Sequence, residues 1–202
     1  MKVAAIILAA GASSRLGSPK QLVKWNNEFI LEKLHFNLSS LLDSTYVVTG
    51  CYHQEIEKQF HNMKLIHNLN WQNGMGSSIS TAINTLKDDY SHILICVCDQ
   101  ALIKKHHYQK LLNISIQYPN NIISSFYNDS VGVPAIFPKE YFEDLIHLKN
   151  SNNGAKTVIQ NHNLKVVKIL CEEASFDLDT KENLDDLKKI IISKDSLINK
   201  VE

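Results

Sequence analysis

The chain has no charge imbalance: Lys plus Arg and Asp plus Glu number 21 each, for a formal net charge of zero. That removes a broad basic face for nucleic acid or an anionic membrane, so any anion site must be local. Cysteine is scarce, and Cys51, Cys96, Cys98 and Cys171 follow no zinc-ligand spacing. Cys96 and Cys98, two apart in an apolar stretch, share one face of a strand and read as buried, reduced thiols. The nine histidines form no H-E-x-x-H or related set. His106 and His107 open a helix-like segment in which adjacent positions do not face one another, and both read as surface residues. Ser-His-Asp and Cys-His arrangements for nucleophilic catalysis are also missing. No apolar run approaches the roughly 20 residues of a membrane span, and the N-terminal run is too short for a signal-peptide core, so a cytoplasmic location is expected. Repeats, linkers and low-complexity tracts are absent. A length of 202 residues suits one α/β domain over 1–202, with a polar tail from about residue 193 expected to fray.

What is present is concentrated at the start. An apolar run, Val3 to Leu8, delivers Leu8-Ala9-Ala10-Gly11-Ala12-Ser13-Ser14-Arg15-Leu16-Gly17-Ser18-Pro19-Lys20-Gln21. Small residues let backbone amides approach an anion closely, and Arg15 and Lys20 are fixed cations able to neutralise a polyphosphate. The spacing is neither the P-loop G-x-x-x-x-G-K-[ST] nor the dinucleotide G-x-G-x-x-G. On these residues alone the stretch is either a phosphate cradle or an ordinary turn between a strand and a helix.

Beyond it, Leu22 to Trp25 reads as extended, Asn26-Asn27 as a turn, and Glu28 to Leu42 as an amphipathic helix. A strand over Tyr46–Thr49, a helix over His53–Phe60 and a strand over Lys64–His67 continue the alternation of a mainly parallel, covered sheet. The loop Asn68 to Ser78 precedes a helix to about Leu86, with Ser77 or Ser78 as its cap. His92 to Cys98 is the most continuous apolar run and the expected central strand. It ends at Asp99, which is either a helix cap or a carboxylate placed where a ligand's metal would be held. A helix over Lys105–Tyr118 and a strand over Asn121–Tyr127 follow. The prolines of Gly132-Val133-Pro134-Ala135-Ile136-Phe137-Pro138 predict an edge or irregular strand. Helices over Tyr141–Leu148 and from Asn152, a strand over Val166–Leu170, and a last helix capped by Thr180 complete the pattern. Asp177 and Asp179 share one side of an extended stretch.

L-A-A-G-x-S-x-R-[ML]-G-x-x-K at the N-terminus resembles the signature of the MobA/MocA-like nucleotidyltransferases. Asn68, Trp71, Gly74, Met75 and Ser78 are similar to a second motif of that family, and Cys98-Asp99-Gln100 to a third. Gly132, Pro134 and Phe137 match its G-x-P-x-x-F. Gly154-Ala155-Lys156 resembles G-D-x-G-A-R with Asn153 and Lys156 substituted, and Asp177-Leu178-Asp179-Thr180 resembles D-[IV]-D-T. The resemblance implies a three-layer α/β/α, Rossmann-like, mostly parallel sheet of the nucleotide-diphospho-sugar-transferase type. It implies nucleotide binding by Leu8, Ala9, Ala10, Gly11, Ser13, Ser14, Arg15, Lys20, Gly74 and Ser78. Catalytic roles fall to Arg15, Lys20 and Asp99, Mg²⁺ binding to Asp99 and Asp179 with Asp177 as the alternative, and acceptor binding to Gly132, Pro134, Gly154 and Lys156. L-A-A-G is similar to the cytidylyl branch, the molybdenum cofactor cytidylyltransferases. This implies CTP as nucleotide, a molybdopterin-type phosphate as acceptor, and a molybdoenzyme receiving the product. An isoprenoid or sugar phosphate acceptor, another nucleotide, and a non-catalytic cofactor-insertion partner are the alternatives.

Overall fold

In the computed structural model, which describes residues 1–25, 27–187 and 189, the chain runs β1 (Val3–Ala9), β2 (Lys24–Trp25), β3 (Glu28–Phe29), α1 (Ile30–Ser39), β4 (Thr45–Thr49), α2 (His53–Gln59) and β5 (Lys64–His67). It continues through α3 (Met75–Leu86), β6 (His92–Val97), α4 (Lys105–Gln117), β7 (Ile122–Tyr127), β8 (Ser130–Pro138), α5 (Phe142–Ile146), α6 (Ala155–Asn161) and β9 (Val166–Leu170). Seven strands form one sheet in the order β5-β4-β1-β6-β8-β7-β9. β8 runs antiparallel to both its neighbours, and the remaining pairings are parallel.

The period of two in the strands builds two cores, one on each face. Ala5, Ile7 and Ala9 of β1 with Leu94 and Cys96 of β6 pack against α1, α2 and α4. The alternate residues Ala4, Ile6, Leu8, Ile93, Ile95 and Val97 pack against α3, α5 and α6. This is the expected three-layer α/β/α arrangement. Cys96 and Cys98 are buried free thiols on one face, as their spacing predicts, and burial pushes Cys98 up to about 12.

Several expectations are corrected. The helix expected from Glu28 begins at Ile30, because Glu28 and Phe29 pair with Trp25 and Lys24 in a short hairpin. Asn27 has the positive φ of 61° that such a turn needs, while Asn26 lies outside the described residues, as does the tail from residue 193. Of the two alternatives for β8 the irregular strand holds, in the sheet interior and not at an edge. Ser124 pairs with Ala135 and Ser125 with Gly132, so Val133 and Pro134 fall in a bulge without partners on β7. The proline's missing N–H therefore costs no ladder bond there. His107 is buried at 4% exposure, not superficial. Tyr108, Leu111 and Leu112 turn α4 toward the sheet, so only one of the two adjacent histidines can face solvent.

Candidate active site

The chain leaves β1 for β4 on one side and later returns to place β6 on the other side of β1. The carboxyl ends of β1 and β6 thus flank the point where strand order reverses, the place where open α/β sheets bind ligands. The opening loop leaves β1 there, and Asp99 follows β6.

The loop's carbonyls are drawn back into the protein. Gln21, 1% exposed, donates Nε2–H to Ala9 O at 2.7 Å and to Gly11 O at 3.2 Å. Cys51 N–H donates to Ala10 O at 3.0 Å, and the Tyr52 hydroxyl to Ala12 O at 3.0 Å. Ser13 O accepts from the amides of Leu16 and Gly17, and Ser13 Oγ from that of Lys20. Among the described residues, the backbone N–H groups of Gly11 through Arg15 donate to no protein acceptor. With the carbonyls of Ala9 through Ser13 occupied and the N–H groups of Gly11 through Arg15 free, the loop is an anion-binding nest. Its left-handed residue is Ser13, at φ 51°, and not Gly11.

Beside the nest stands a charged cluster. Lys20 Nζ lies 3.0 Å from Asp99 Oδ2 and 2.6 Å from Asp179 Oδ1. Arg15, the chain's single arginine, reaches Asp179 Oδ2 at 3.0 Å with its side chain 74% exposed. Burial disfavours the Lys20 charge, but Asp99 and Asp179 outweigh it and hold its pKa above the ordinary value. Burial likewise opposes ionisation of Asp179, yet the hydrogen bond and charge of Lys20, then Arg15, bring its pKa below the usual carboxylate range. Asp177 is pushed up to about 6, first by desolvation and then by the charges of Asp99 and Asp179.

Two cavities meet here. The first, about 320 Å³, is bounded by Ala9, Ala10, Gly11, Lys20, Trp71, Gly74 and Ser78. The second, about 310 Å³, is bounded by Tyr127, Gly132, Val133, Gly154, Lys156, Asp177 and Asp179. Leu8, Met75, Val97 and Asp99 line both. Asp99 therefore stands in the wall between two ligand-sized spaces. Pro134 reaches neither; it is buried in the β8 bulge, with its carbonyl accepting from Ser125 Oγ at 2.7 Å. Ser13, Ser14 and Arg15 lie along the loop outside the cavity walls.

Two glycines shape the first cavity. Gly74 precedes α3 at φ 94°, and a Cβ there would strike Asn152. At Gly50 a Cβ would stand 2.6 Å from Trp71 Cβ and 2.7 Å from Ala10 O, so only glycine lets these residues close the first cavity. Helix α3 starts at Met75 with Gly74 before it, so neither Ser77 nor Ser78 is its cap. Both hydroxyls instead accept from the Asn68 side chain. Thr180 does cap the helix over 181–187: its Oγ1 accepts from Asn183 N–H, and Asn183 Oδ1 accepts from Thr180 N–H. The supporting roles of Gln21, Tyr52 and Gly50 escape the sequence reading; the only signal is their closeness to the ends of β1 and β4.

No three His, Cys, Asp or Glu side chains among the described residues come together to hold a metal by themselves. The donor set does suit a hard cation that keeps several waters and shares phosphate oxygens. Asp99 Oδ1 is buried without a hydrogen-bond partner, and Asp179 lies across Lys20 from it. No helix among the described residues is long and apolar enough to cross a membrane.

Residues 5–166 match the family described as the MobA-like NTP transferase domain. The chain is 23% identical over 181 residues to the molybdenum cofactor cytidylyltransferase of Escherichia coli K12, covering 88% of this chain and 91% of that protein. It is 28% identical over 159 residues to a probable molybdenum cofactor guanylyltransferase of Clostridium perfringens strain 13, covering 78% and 76%. Against the bifunctional protein GlmU of Ruthia magnifica it is 28% identical over 157 residues, 74% of this chain but only 34% of that protein. The fold superposes on the crystal structure of Rv0371c from Mycobacterium tuberculosis with a TM-score of 0.77 at 19% identity, covering 93% and 98% of the two chains.

Proposed function

Since the chain belongs to the MobA-like NTP transferase family, we propose that it transfers CMP from CTP to the terminal phosphate of a molybdopterin-type acceptor, releasing pyrophosphate. The observation that carries this reading is the nest: the amides of Gly11 to Arg15 are free among the described residues while the loop carbonyls are tied behind it. The adjoining cavities give room for two substrates on either side of Asp99.

The loop amides, Arg15 and Lys20 receive the triphosphate, with the base and ribose in the first cavity between Ala10, Trp71, Gly74 and Ser78. The acceptor lies in the second, with Gly132 and Gly154 giving close approach and Lys156 supplying charge to its phosphate. Pro134 shapes β8 and does not touch the acceptor. Two polyanions must be brought in line, so positioning and neutralisation of charge carry the chemistry. The attacking phosphate is already ionised at neutral pH, and no general base is required of the chain. Asp99 and Asp179 would hold Mg²⁺, which supplies neutralisation of the charge on the reacting phosphates. Lys20, between the two carboxylates, stays charged throughout and steadies the phosphate on which negative charge develops.

Cytosine is preferred on the strength of Ala10 in L-A-A-G, and the cytidylyltransferase relative matches over nearly its full length. The guanylyltransferase relative keeps GTP as the second reading. Mixing the protein with each nucleoside triphosphate, Mg²⁺ and molybdenum cofactor, and measuring pyrophosphate, separates them. Release with CTP above the others supports the proposal; binding without release from any nucleotide would favour a cofactor-insertion partner and sink it.

A further inference from the structure

Asn68 is a polar side chain at 1% exposure between β5 and α3, and both ends of its amide are hydrogen-bonded. Its Oδ1 accepts from Asn70 N–H at 3.0 Å, while Thr81 Oγ1, 3.3 Å away, has its one proton closer to Ser77 O at 2.9 Å. Its Nδ2 donates to Ser77 Oγ at 2.9 Å and to Ser78 Oγ at 3.0 Å. A backbone N–H can only donate, so the bond from Asn70 fixes which end of the amide is oxygen. The polarity of the network follows. Ser77 accepts from Asn68 and passes its own proton to Gly74 O at 2.8 Å or Asn70 O at 3.0 Å. Ser78 also accepts from Asn68, but among the described residues its hydroxyl donates to no protein acceptor. Ser78 lines the first cavity. A hydroxyl that accepts from a buried amide becomes a better donor in turn.

We propose that Asn68 is a positioning residue for base recognition, holding Ser78 Oγ so that its proton is presented to a ring acceptor, N3 of a cytosine. This rests on the nucleotide reading of the first cavity. Cytosine carries an acceptor at N3, where uracil carries an N–H donor. A donor held there favours the first and leaves the second facing it with a like group. The discriminating donor of Ser78 is thus oriented by a side chain that does not itself line the cavity.

The test is equilibrium binding of CTP, UTP, GTP and ATP to the full chain, to Asn68→Asp, to Ser78→Ala and to the double variant. Asn68→Asp keeps the acceptor for Asn70 N–H and removes both donors, so Ser78 must turn its proton to the new carboxylate. The added negative charge weakens all four nucleotides alike and cancels in a ratio. The expected wild-type preference for CTP over UTP is at least about tenfold, the scale of one hydrogen bond against an unpaired group. Asn68→Asp should lower that ratio about tenfold with CTP binding still detectable, and should change it no further in the Ser78→Ala background. A ratio unchanged by Asn68→Asp, or changed equally with and without Ser78, overturns the role of Asn68 while leaving the nucleotide site standing. A wild type that binds none of the four overturns both, and one that prefers a purine overturns the recognition of cytosine while leaving the nucleotide site standing. If Asn68→Asp does not fold, wild-type binding of 3-deazacytidine triphosphate, which lacks the N3 acceptor, decides: weakening of about tenfold supports the proposal, and affinity equal to CTP overturns it.

Discussion

Asp99 occupies the wall shared by the two cavities, with one oxygen on Lys20 and the other buried without a partner. Asp99→Ala should therefore lower turnover by about 10²–10³-fold, the scale of losing one preorganised electrostatic group, with the fold retained by circular dichroism. Near-normal turnover in a folded variant would remove Asp99 from the site. Lys20→Ala should weaken triphosphate binding by roughly ten- to a hundredfold, as expected for charge-assisted hydrogen bonds, and Lys20→Arg should restore little of it. The Lys20 side chain is 15% exposed between two carboxylates, and a planar fork does not replace a compact ammonium there. Isothermal titration with the nucleotide measures both. These residues were legible because each follows a motif directly. Gln21 was not, because a buried glutamine twelve positions beyond Ala9 in sequence has no local pattern that marks it as the clamp on the loop. The burial of His107 leaves no local mark for a related reason: two adjacent histidines look alike until the rest of α4 fixes which one faces the sheet. Ser125 Oγ donates to Pro134 O, so His107 gives it an Nε2–H at 2.8 Å, and burial followed by the charge of His106 brings His107 down to about 4 from 6.5. Below pH 6.5 the unfolded chain gains a proton that the folded chain refuses until about pH 4, so stability is lost as pH falls through that window. Urea unfolding should show this histidine contributing a loss of about 2 kcal/mol between pH 7.5 and pH 5. The loss should be smaller by that amount in His107→Gln, which keeps the donor without titrating. Equal pH dependence in the two proteins would contradict the buried neutral imidazole.

The strand and helix periods were largely readable, because alternating apolar residues in β1 and β6 have to serve two packed faces. Element ends and partners were less so. The prolines of β8 predict an edge or irregular strand because proline cannot donate to a ladder, and the bulge at Val133 and Pro134 is the irregular outcome, which satisfies that rule in the sheet interior. Bulges are set by pairing with a distant strand and leave little local trace. Helix α3 begins before the serines expected to cap it, since Gly74 makes the turn and Asn68 claims both hydroxyls. The close seating of α3 on the segment 147–151 depends on Gly76, where an added Cβ would run into the carbonyls of Leu148 and Ser151. Backbone on both sides cannot yield cheaply. Gly76→Ala should cost about 1–3 kcal/mol in urea unfolding and weaken nucleotide binding through displacement of Met75 in the shared wall. Unchanged stability would show that this contact tolerates a methyl group.

At the scale of the whole molecule, one parallel core with its order reversed between β4 and β6 brings a loop near residue 11, an acid at 99 and another at 179 to one end of the sheet. Sequence motifs gave the order of these pieces but not their meeting. In particular, nothing local tells that Asp179 reaches Lys20 while Asp177 stays on the second cavity's wall. The zero net charge also takes its sense here: the cations that matter are local to the cleft and balanced by its own carboxylates. The proposed reaction requires that these two cavities join a nucleotide to a phosphate-bearing acceptor. Pyrophosphate released per mole of molybdenum cofactor, in the presence of Mg²⁺ and each of the four nucleoside triphosphates, tests it most directly. Release is expected with CTP, dependent on both the acceptor and Mg²⁺ and lost with Asp99→Ala; tight nucleotide binding with no pyrophosphate from any triphosphate would contradict the proposed reaction.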